Sequence, residues 1–357
     1  MSRKLLSIIA IIIAILLIAW PAKYCYDFFY APIDSTGLTK SFKVYPGEPA
    51  ASVTTRLKTE KIIIHPWVFD VMLNFLSDHQ HLHFGEYDIN KKISPFILLK
   101  NMVAGKGLVQ HRITFVDGWT FDNIRMALSM DANLKQTLSA VKNPAIAALF
   151  EKDAPKSPEG LFYPDTYFFT WDNSDVSVLK TAFDKMQSIL NAEWQNRAAD
   201  LPYKNVYQAL IVASLIQRET AIVAEKPIIA SVIMNRLQKK MRLQIDPTVQ
   251  YGLNKSFGDI LTGKDLKAKS AYNTYLIPAL PPTPICMPNR ASIDAALHPA
   301  TTDYLYYVAT GTGGHQFSVT YEQHLQAVKK YRQEEKHLED VSAQVTSWLH
   351  NKLASAK

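Results

Sequence analysis

The stretch "LLSIIAIIIAILLIAWPA", Leu5 to Ala22, carries no charge and almost no polar side chain. As a helix, about 18 residues at about 1.5 Å each reach about 27 Å, close to the hydrocarbon thickness of a bilayer. Arg3 and Lys4 stand before it, and positive charge favours the cytoplasmic side. A cleaved signal peptide is the competing reading. Against it, "AWPAKYC" offers a poor small-residue cleavage site, and the apolar run is long for a signal core. No lipid-attachment pattern surrounds Cys25. The run therefore predicts a cytoplasmic start at residues 1–4 and an uncleaved transmembrane anchor at 5–23. In a two-membrane bacterium this is an inner-membrane protein, single-pass, with its remainder periplasmic.

The 357 residues are too many for one small core and point to two or three domains. A net charge of +7 and a pI near 9.1 suit anionic partners: lipid, nucleic acid or an acidic cell-wall polymer. No dense Lys/Arg run interleaves with aromatics, which argues against nucleic acid. Two cysteines, Cys25 and Cys286, exclude a disulfide scaffold and read as free thiols.

After a juxtamembrane linker at 24–40, residues 41–110 read as a small α/β unit. "SFKVYPGE" alternates like a strand and ends in a turn; "PAASVTTRLKTEKII" has helical spacing at Val53, Leu57 and Ile62. "PWVFDVMLNFL" is a second helix and "FGEYDIN" a second strand. "SPFILLKNMVAG" is a helix with both end signals, Ser94–Pro95 at the start and Gly105 at the end. This unit holds no nucleophile or metal cluster and suits a binding or positioning role. A larger mixed domain follows at 111–335, giving an α+β class overall. It opens with "RITFVDGWTFDNIRMAL" as strand, turn and helix. "LQIDPTVQYG", "AYNTYLIPALPPTPICMP" and "DYLYYVATGTGGHQFSVT" read as loops and short strands lining a cleft. The tail at 336–357 reads as an amphipathic helix with Leu338, Val341, Val345 and Leu349 on one stripe.

The candidate chemistry centres on "ASLIQRETAIVA", residues 213–224. The surrounding sequence predicts two helices broken near Glu225 to Pro227, and on the first of them Glu219 lines up with Val212, Leu215, Ile216, Ile222 and Val223, an apolar face. A carboxylate there must be paired, protonated or exposed in a cleft. Desolvation raises its pKa and makes a usable general acid; an ion pair with Arg218 or another Arg is the plainer alternative. Glu159 and Asp165 flank the aromatic stretch "EGLFYPDTYFF", a composition found where sugars stack, although a core-facing loop with Asp165 at a turn fits equally. Asp246 before Pro247 is a second candidate carboxylate or a helix cap. With Glu219, Asp165 or Asp246 would complete a two-carboxylate glycosidase. "HQHLH" would place His79, His81 and His83 on one face of a strand, but without a metalloprotease pattern a solvated loop fits better. His315 in "GTGGHQFS" lacks the ending of a phosphate loop and the elbow of a hydrolase. No metal is expected.

Taken together, the blocks "EGLFYPDTY", "ASLIQRET", "IIASVIMNRLQKKMRLQIDPTVQYG", "AYNTYLIPALPPTPI", "AALHPATTDYLYYVA" and "GGHQFSVTYEQH" occur in an order that resembles the YceG-like family of endolytic murein transglycosylases. The resemblance covers nearly the whole chain. It departs at Asp117-Gly118, where the family usually has Glu-Gly, and at Ala279 and Thr283, where it often has Gly. The resemblance implies that the unit at 41–110 is LysM-like, that Glu219 is catalytic and that no cofactor is needed. It further implies that Glu159, Tyr163, Asp165, Gln244, Asp246, Tyr272, Asn273 and His315 line the glycan cleft. Gln244 and Asn273 would hold acetamido groups, or else only stabilise their loops. The implied reaction cleaves the β-1,4 bond between N-acetylmuramic acid and N-acetylglucosamine and leaves a 1,6-anhydro end. It implies nascent peptidoglycan strands as substrate and the peptidoglycan synthases as partners. Two alternatives stay open: a non-catalytic peptidoglycan-binding scaffold, and a hydrolase using water and two carboxylates.

Overall fold

A computed structural model of the chain describes residues 3–33, 40–76, 81–89, 92–152, 155–311 and 313–333. His79 and the tail stripe of Leu338, Val341, Val345 and Leu349 lie outside the described residues. The fold is mixed α/β and divides into two compact units. Unit 1 comprises Met1–Arg112, Ala132–Lys135 and Phe168–Ser174; unit 2 comprises Ile113–Asp131, Gln136–Tyr167 and Asp175–Lys357.

Unit 1 starts with α1 (Arg3–Phe29), which contains Pro21. Its stretch Ser7–Phe29 is long and apolar enough to cross a membrane. The helix does not stop at residue 23, where a linker was expected. It runs on to Phe29, because Phe28 and Ile33 are drawn into the core of unit 1, where Phe28 is only 4% exposed. There follow β1 (Ser41–Val44), α2 (Ala50–Thr59), α3 (Pro66–Leu76), β2 (Gly85–Asp88) and α4 (Pro95–Ala104). β1 and β2 pair antiparallel from Ser41 opposite Asp88 to Val44 opposite Gly85. Phe42 and Val44 of β1, Val53 and Leu57 of α2, Phe69 and Leu73 of α3 and Leu98 and Leu99 of α4 close one core. α4 ends as its residues dictate. The Ser94 hydroxyl accepts from the Ile97 N–H, Pro95 opens the helix, and Gly105 closes it with φ +64.

β3 (Gln110–Thr114) pairs with β4 (Thr166–Thr170). The remaining elements are α5 (Phe121–Met130), α6 (Asn143–Ile146), α7 (Asp175–Gln195), α8 (Val206–Glu219), α9 (Lys226–Gln238), α10 (Asp246–Gly252), α11 (Arg290–Leu297), β5 (Tyr306–Ala309) and β6 (His315–Ser318). α5 opens with a capping box formed by Thr120 and Asn123. "LQIDPTVQYG", expected as loop, instead carries α10, with Pro247 in its first turn where a missing N–H costs nothing.

α8 is the central helix of unit 2. Every residue from Ala209 to Ile216 is buried, as expected of a helix apolar all round. It packs against α7, α9, α10 and α11. Ser214 fits this setting because its hydroxyl donates to the Ile211 carbonyl at 2.7 Å and accepts from the Ile285 N–H at 3.1 Å. Cys286 lies alongside, its Sγ 3.3 Å from the Ser214 carbonyl. Both cysteines are free thiols.

Candidate active site at the end of the central helix

The chain leaves helical geometry immediately after Glu219. Thr220 is extended, with φ −142 and ψ 141. Its hydroxyl donates to Glu225 Oε2 and accepts from the Ile222 N–H, both at 3.0 Å. Such local bonds offer the backbone an alternative to further helix. The expected apolar face therefore stops short: Ile222 and Val223 lie beyond the helix, and both are exposed. Glu219 is left as the last residue of α8, where the negative end of the helix dipole opposes a carboxylate.

Its surroundings oppose ionisation further. Glu219 as a residue is half-buried, yet its Oε2 is enclosed and has no hydrogen-bond partner among the described residues. Burial pushes its pKa up to about 7; the charge of Asp246 pushes the same way, and a hydrogen bond from Tyr307 opposes both. Arg218 is not its ion-pair partner. The Arg218 guanidinium bonds the Gly118 carbonyl at 3.3 Å and lies 3.7 Å over the Phe257 ring. Glu219 is thus a carboxyl held near the midpoint of its titration at neutral pH, able both to give and to take a proton.

Three elements set this environment. Tyr307 comes from β5, and its own phenol is kept protonated by burial and by Glu219. Asp246 stands at the first turn of α10, and its Oδ1 accepts from the Tyr275 hydroxyl at 2.5 Å. Arg236 of α9 ties the parts together: Nε donates to the Leu305 carbonyl at 2.6 Å, and Nη1 donates to the Leu243 carbonyl at 2.8 Å and to Gln244 Oε1 at 3.2 Å. Gln244 adopts φ +53, a conformation costly for a residue with a side chain. Tyr307→Phe removes a hydrogen bond that favours the ionised form of Glu219. The expected result is a further rise in the Glu219 pKa, read as an upward shift of the basic limb of the pH–rate profile. The maximal rate should fall by less than about tenfold.

Glu225 joins the end of α8 to the β5–β6 hairpin. Its carboxylate accepts from the Thr220 hydroxyl, from the His315 N–H at 2.8 Å and from His315 Nδ1–H at 2.8 Å. The His315 ring in turn meets the edge of Tyr307, centroids 5.4 Å apart. The three bonds to a carboxylate predict that Glu225→Ala loosens the hairpin, with a loss of about 2–4 kcal/mol in urea unfolding.

The other sequence-predicted residues fall into separate groups. Glu159 is 4% exposed; its Oε1 accepts from the Phe121 N–H and its Oε2 from the Tyr251 hydroxyl, both at 3.0 Å. Burial raises its pKa to about 8. Tyr272 joins this group, its ring 4.9 Å from Tyr251 and its hydroxyl 2.9 Å from Thr283 Oγ1. Tyr163 and Asp165 form another group around Lys185. The ammonium pairs with Asp165, holding that carboxyl below its usual range, and lies 5.1 Å over the Tyr163 ring. Asn273 is fully buried and donates to the Leu266 and Ala268 carbonyls at 3.1 and 2.8 Å, a loop-stabilising arrangement. Of the predicted residues, Asp246 acts on Glu219 through its charge and His315 packs on Tyr307, which hydrogen-bonds Glu219; Gln244 bonds Arg236. Tyr307, Tyr275, Arg236 and Glu225 escaped the sequence reading. The alternation of "DYLYYVA" was the one hint that a Tyr of that strand faces inward.

His81 and His83 are both exposed. Among the described residues, one trio of potential metal ligands lies close together: Glu193, Asp294 and His298. Glu193 pairs with Arg290, and the two ring nitrogens of His298 are bonded to Asp294 and to the Asn196 carbonyl.

Comparison with known proteins places the chain among relatives of one family. The profile of the YceG-like family covers residues 42–330. A protein of Bacillus subtilis named endolytic murein transglycosylase is 29% identical over 309 residues, 82% of this chain and 85% of its own length. A namesake from Streptococcus pneumoniae is 25% identical over 300 residues, 75% of this chain and 54% of its own. The 2.6 Å crystal structure of a yceG-like protein from Listeria monocytogenes superposes with a TM-score of 0.53 at 29% identity, covering 80% of this chain and 98% of that one. With the family profile spanning residues 42–330 and both units, the chain belongs to the YceG-like family.

Proposed function

We propose that this protein is a membrane-anchored lytic transglycosylase that cuts within peptidoglycan glycan strands, with Glu219 as its single general acid and base. The observation that carries the proposal is the enclosed, unpartnered Oε2 of Glu219 on a carboxyl whose pKa lies at about 7. Protonated Glu219 gives its proton to the glycosidic oxygen as the bond between N-acetylmuramic acid and N-acetylglucosamine breaks. The C6 hydroxyl of the muramic residue then attacks C1 and returns a proton to Glu219, closing the 1,6-anhydro ring. No water is consumed, and the nucleophile is already tethered to the reacting sugar. Tyr307 stabilises the ionised intermediate state of the carboxyl, and Asp246 sets its proton affinity through charge.

In the same proposal α1 spans the inner membrane with its N-terminus in the cytoplasm, Arg3 and Lys4 preceding the span. Unit 2 then acts in the periplasm near the membrane, where new glycan emerges from its synthases, and its cuts end strand elongation. The β1-α2-α3-β2 order of unit 1 supports a LysM-like role in holding glycan. Glu159, Tyr163, Asp165, Gln244, Asp246, Tyr272, Asn273 and His315 remain the proposed cleft residues, with Asp246 supported by its charge on Glu219 and His315 by its contact with Tyr307.

The proximity of Asp246 favours one second reading, a hydrolase in which Asp246 activates water. Mass spectrometry of glycan strands digested by the full-length protein separates the two. Products ending in 1,6-anhydro-muramic acid support the lytic reaction. Reducing ends, lost in Asp246→Asn, support the hydrolase. Bound but uncut strands support a scaffold.

A further inference from the structure

α3 has two unlike faces. Val68, Phe69 and Leu73 are buried in the core of unit 1. Trp67, Val71 and Phe75, four residues apart, form a stripe on the other side, with Trp67 57% and Phe75 80% exposed. Ile64, just before the helix, is 74% exposed. So many large apolar side chains bared on one side of a small unit mark a contact surface.

The geometry of α1 says what that surface meets. The stripe begins where the apolar run of α1 ends. The Tyr24 ring lies 3.9 Å from that of His65 and 6.4 Å from that of Trp67, and Trp20 packs on Tyr24 at 5.5 Å. Trp and Tyr collect at the headgroup level of a bilayer, where one end of the ring is apolar and the other wet. This aromatic group therefore marks the plane in which α1 leaves the hydrocarbon. Lys23, Asp27 and Lys61 line the neighbouring cavity, with Lys23 3.8 Å from Asp27, and long basic side chains of this kind reach to headgroup phosphates. The Asp70 carboxylate lies off the stripe and accepts from the Thr54 hydroxyl of α2 at 2.8 Å. Phe28 of α1 belongs to the same core as Phe69 of α3, so unit 1 has no slack with which to swing away.

We propose that unit 1 rests on the bilayer surface, with Ile64, Trp67, Val71 and Phe75 dipping into the headgroup layer beside the anchor. This depends on α1 being a membrane span, as proposed above. The surface-lying face converts a single span into a two-point attachment, in the manner of interfacial amphipathic helices.

The test places a nitroxide on the full-length chain, with Cys25→Ser as background, in vesicles of phosphatidylethanolamine and phosphatidylglycerol. Labels go at Phe75→Cys or Val71→Cys, at Ile12→Cys within the anchor, and at Lys58→Cys on exposed α2. Collision with oxygen, which favours lipid, is compared with collision with a nickel chelate, which favours water. The expected result is oxygen exceeding the chelate severalfold at positions 12, 71 and 75, and the reverse at 58. If 12 is in lipid while 71 and 75 match 58, the surface contact is wrong and the anchor stands. If 12 is in water, the anchor itself fails and the contact with it. If 71 and 75 are shielded from both reagents, protein covers the face and the lipid assignment is overturned.

Discussion

Glu219→Gln should lower the cleavage rate by about 10²–10⁴-fold, the range of a lost general acid–base group, while leaving the fold intact. The amide is nearly the shape of the protonated carboxyl, and it relieves an enclosed oxygen of the need to carry charge without a partner. Tm should therefore stay level or rise, and strand binding should persist. The pH dependence follows from the first step, in which Glu219 must hold its proton. With a pKa of about 7 the wild-type rate declines as pH rises through neutrality. The residual rate of the variant should lack that decline. Initial rates of anhydro-product formation across pH, beside thermal unfolding of both proteins, check the two halves together. A folded variant with unchanged Tm that keeps the wild-type rate of anhydro-product formation would remove Glu219 from the mechanism.

The second large effect concerns stability and falls on Glu159. Its folded pKa, raised by burial to about 8, stands well above the 4.5 of an exposed Glu. The folded state therefore binds a proton that the unfolded state has already lost. The stabilisation is complete below about pH 4.5 and drains away as pH rises towards 8. At about 1.4 kcal/mol per unit the upper limit is about 5 kcal/mol. Glu159→Gln keeps a neutral acceptor for the Phe121 N–H and a partner for Tyr251, so it should flatten this slope and match or exceed the wild type at pH 8. Glu159→Ala leaves both groups buried and unpaired, at a cost of about 2–4 kcal/mol. Urea unfolding at pH 5 and pH 8 distinguishes the three proteins. A wild type as stable at pH 8 as at pH 5 would show that Glu159 is ionised in the fold.

Where local chemistry decides the structure, the residues announce it. Ser94, Pro95 and Gly105 bound α4 in the sequence as they do in space. The apolar run of α1 is equally plain, but its end is not. Hydropathy marks where the lipid-compatible residues stop, whereas the helix continues until Phe28 finds a protein core. Glu219 stood out as a carboxylate among apolar residues, yet its true position was hidden. Helical spacing runs on through Ile222 and Val223, and only the Thr220 side chain, bonding to Glu225, ends the helix. Tyr307 was not legible because its partner lies far away in the chain, and periodicity carries no information about such a pairing. The same holds for Glu159, whose partners Phe121 and Tyr251 come from two different helices. Helical and strand spacing carries no signature of a glycan; only the order of the family's blocks points to one.

The single helix α1, running from its apolar stretch to Phe28 in the core of unit 1, sets a rotational phase. An α-helix turns about 100° per residue. One residue added or removed between Pro21 and Phe29 would swing the α3 stripe about a quarter of the way round the apolar stretch of α1, while changing its height by only about 1.5 Å. Four added residues would nearly restore the heading and lift the unit by about 6 Å. The heading of the α3 stripe relative to the apolar stretch of α1 is thus counted out in residues, so the segment tolerates changes of composition far better than changes of length.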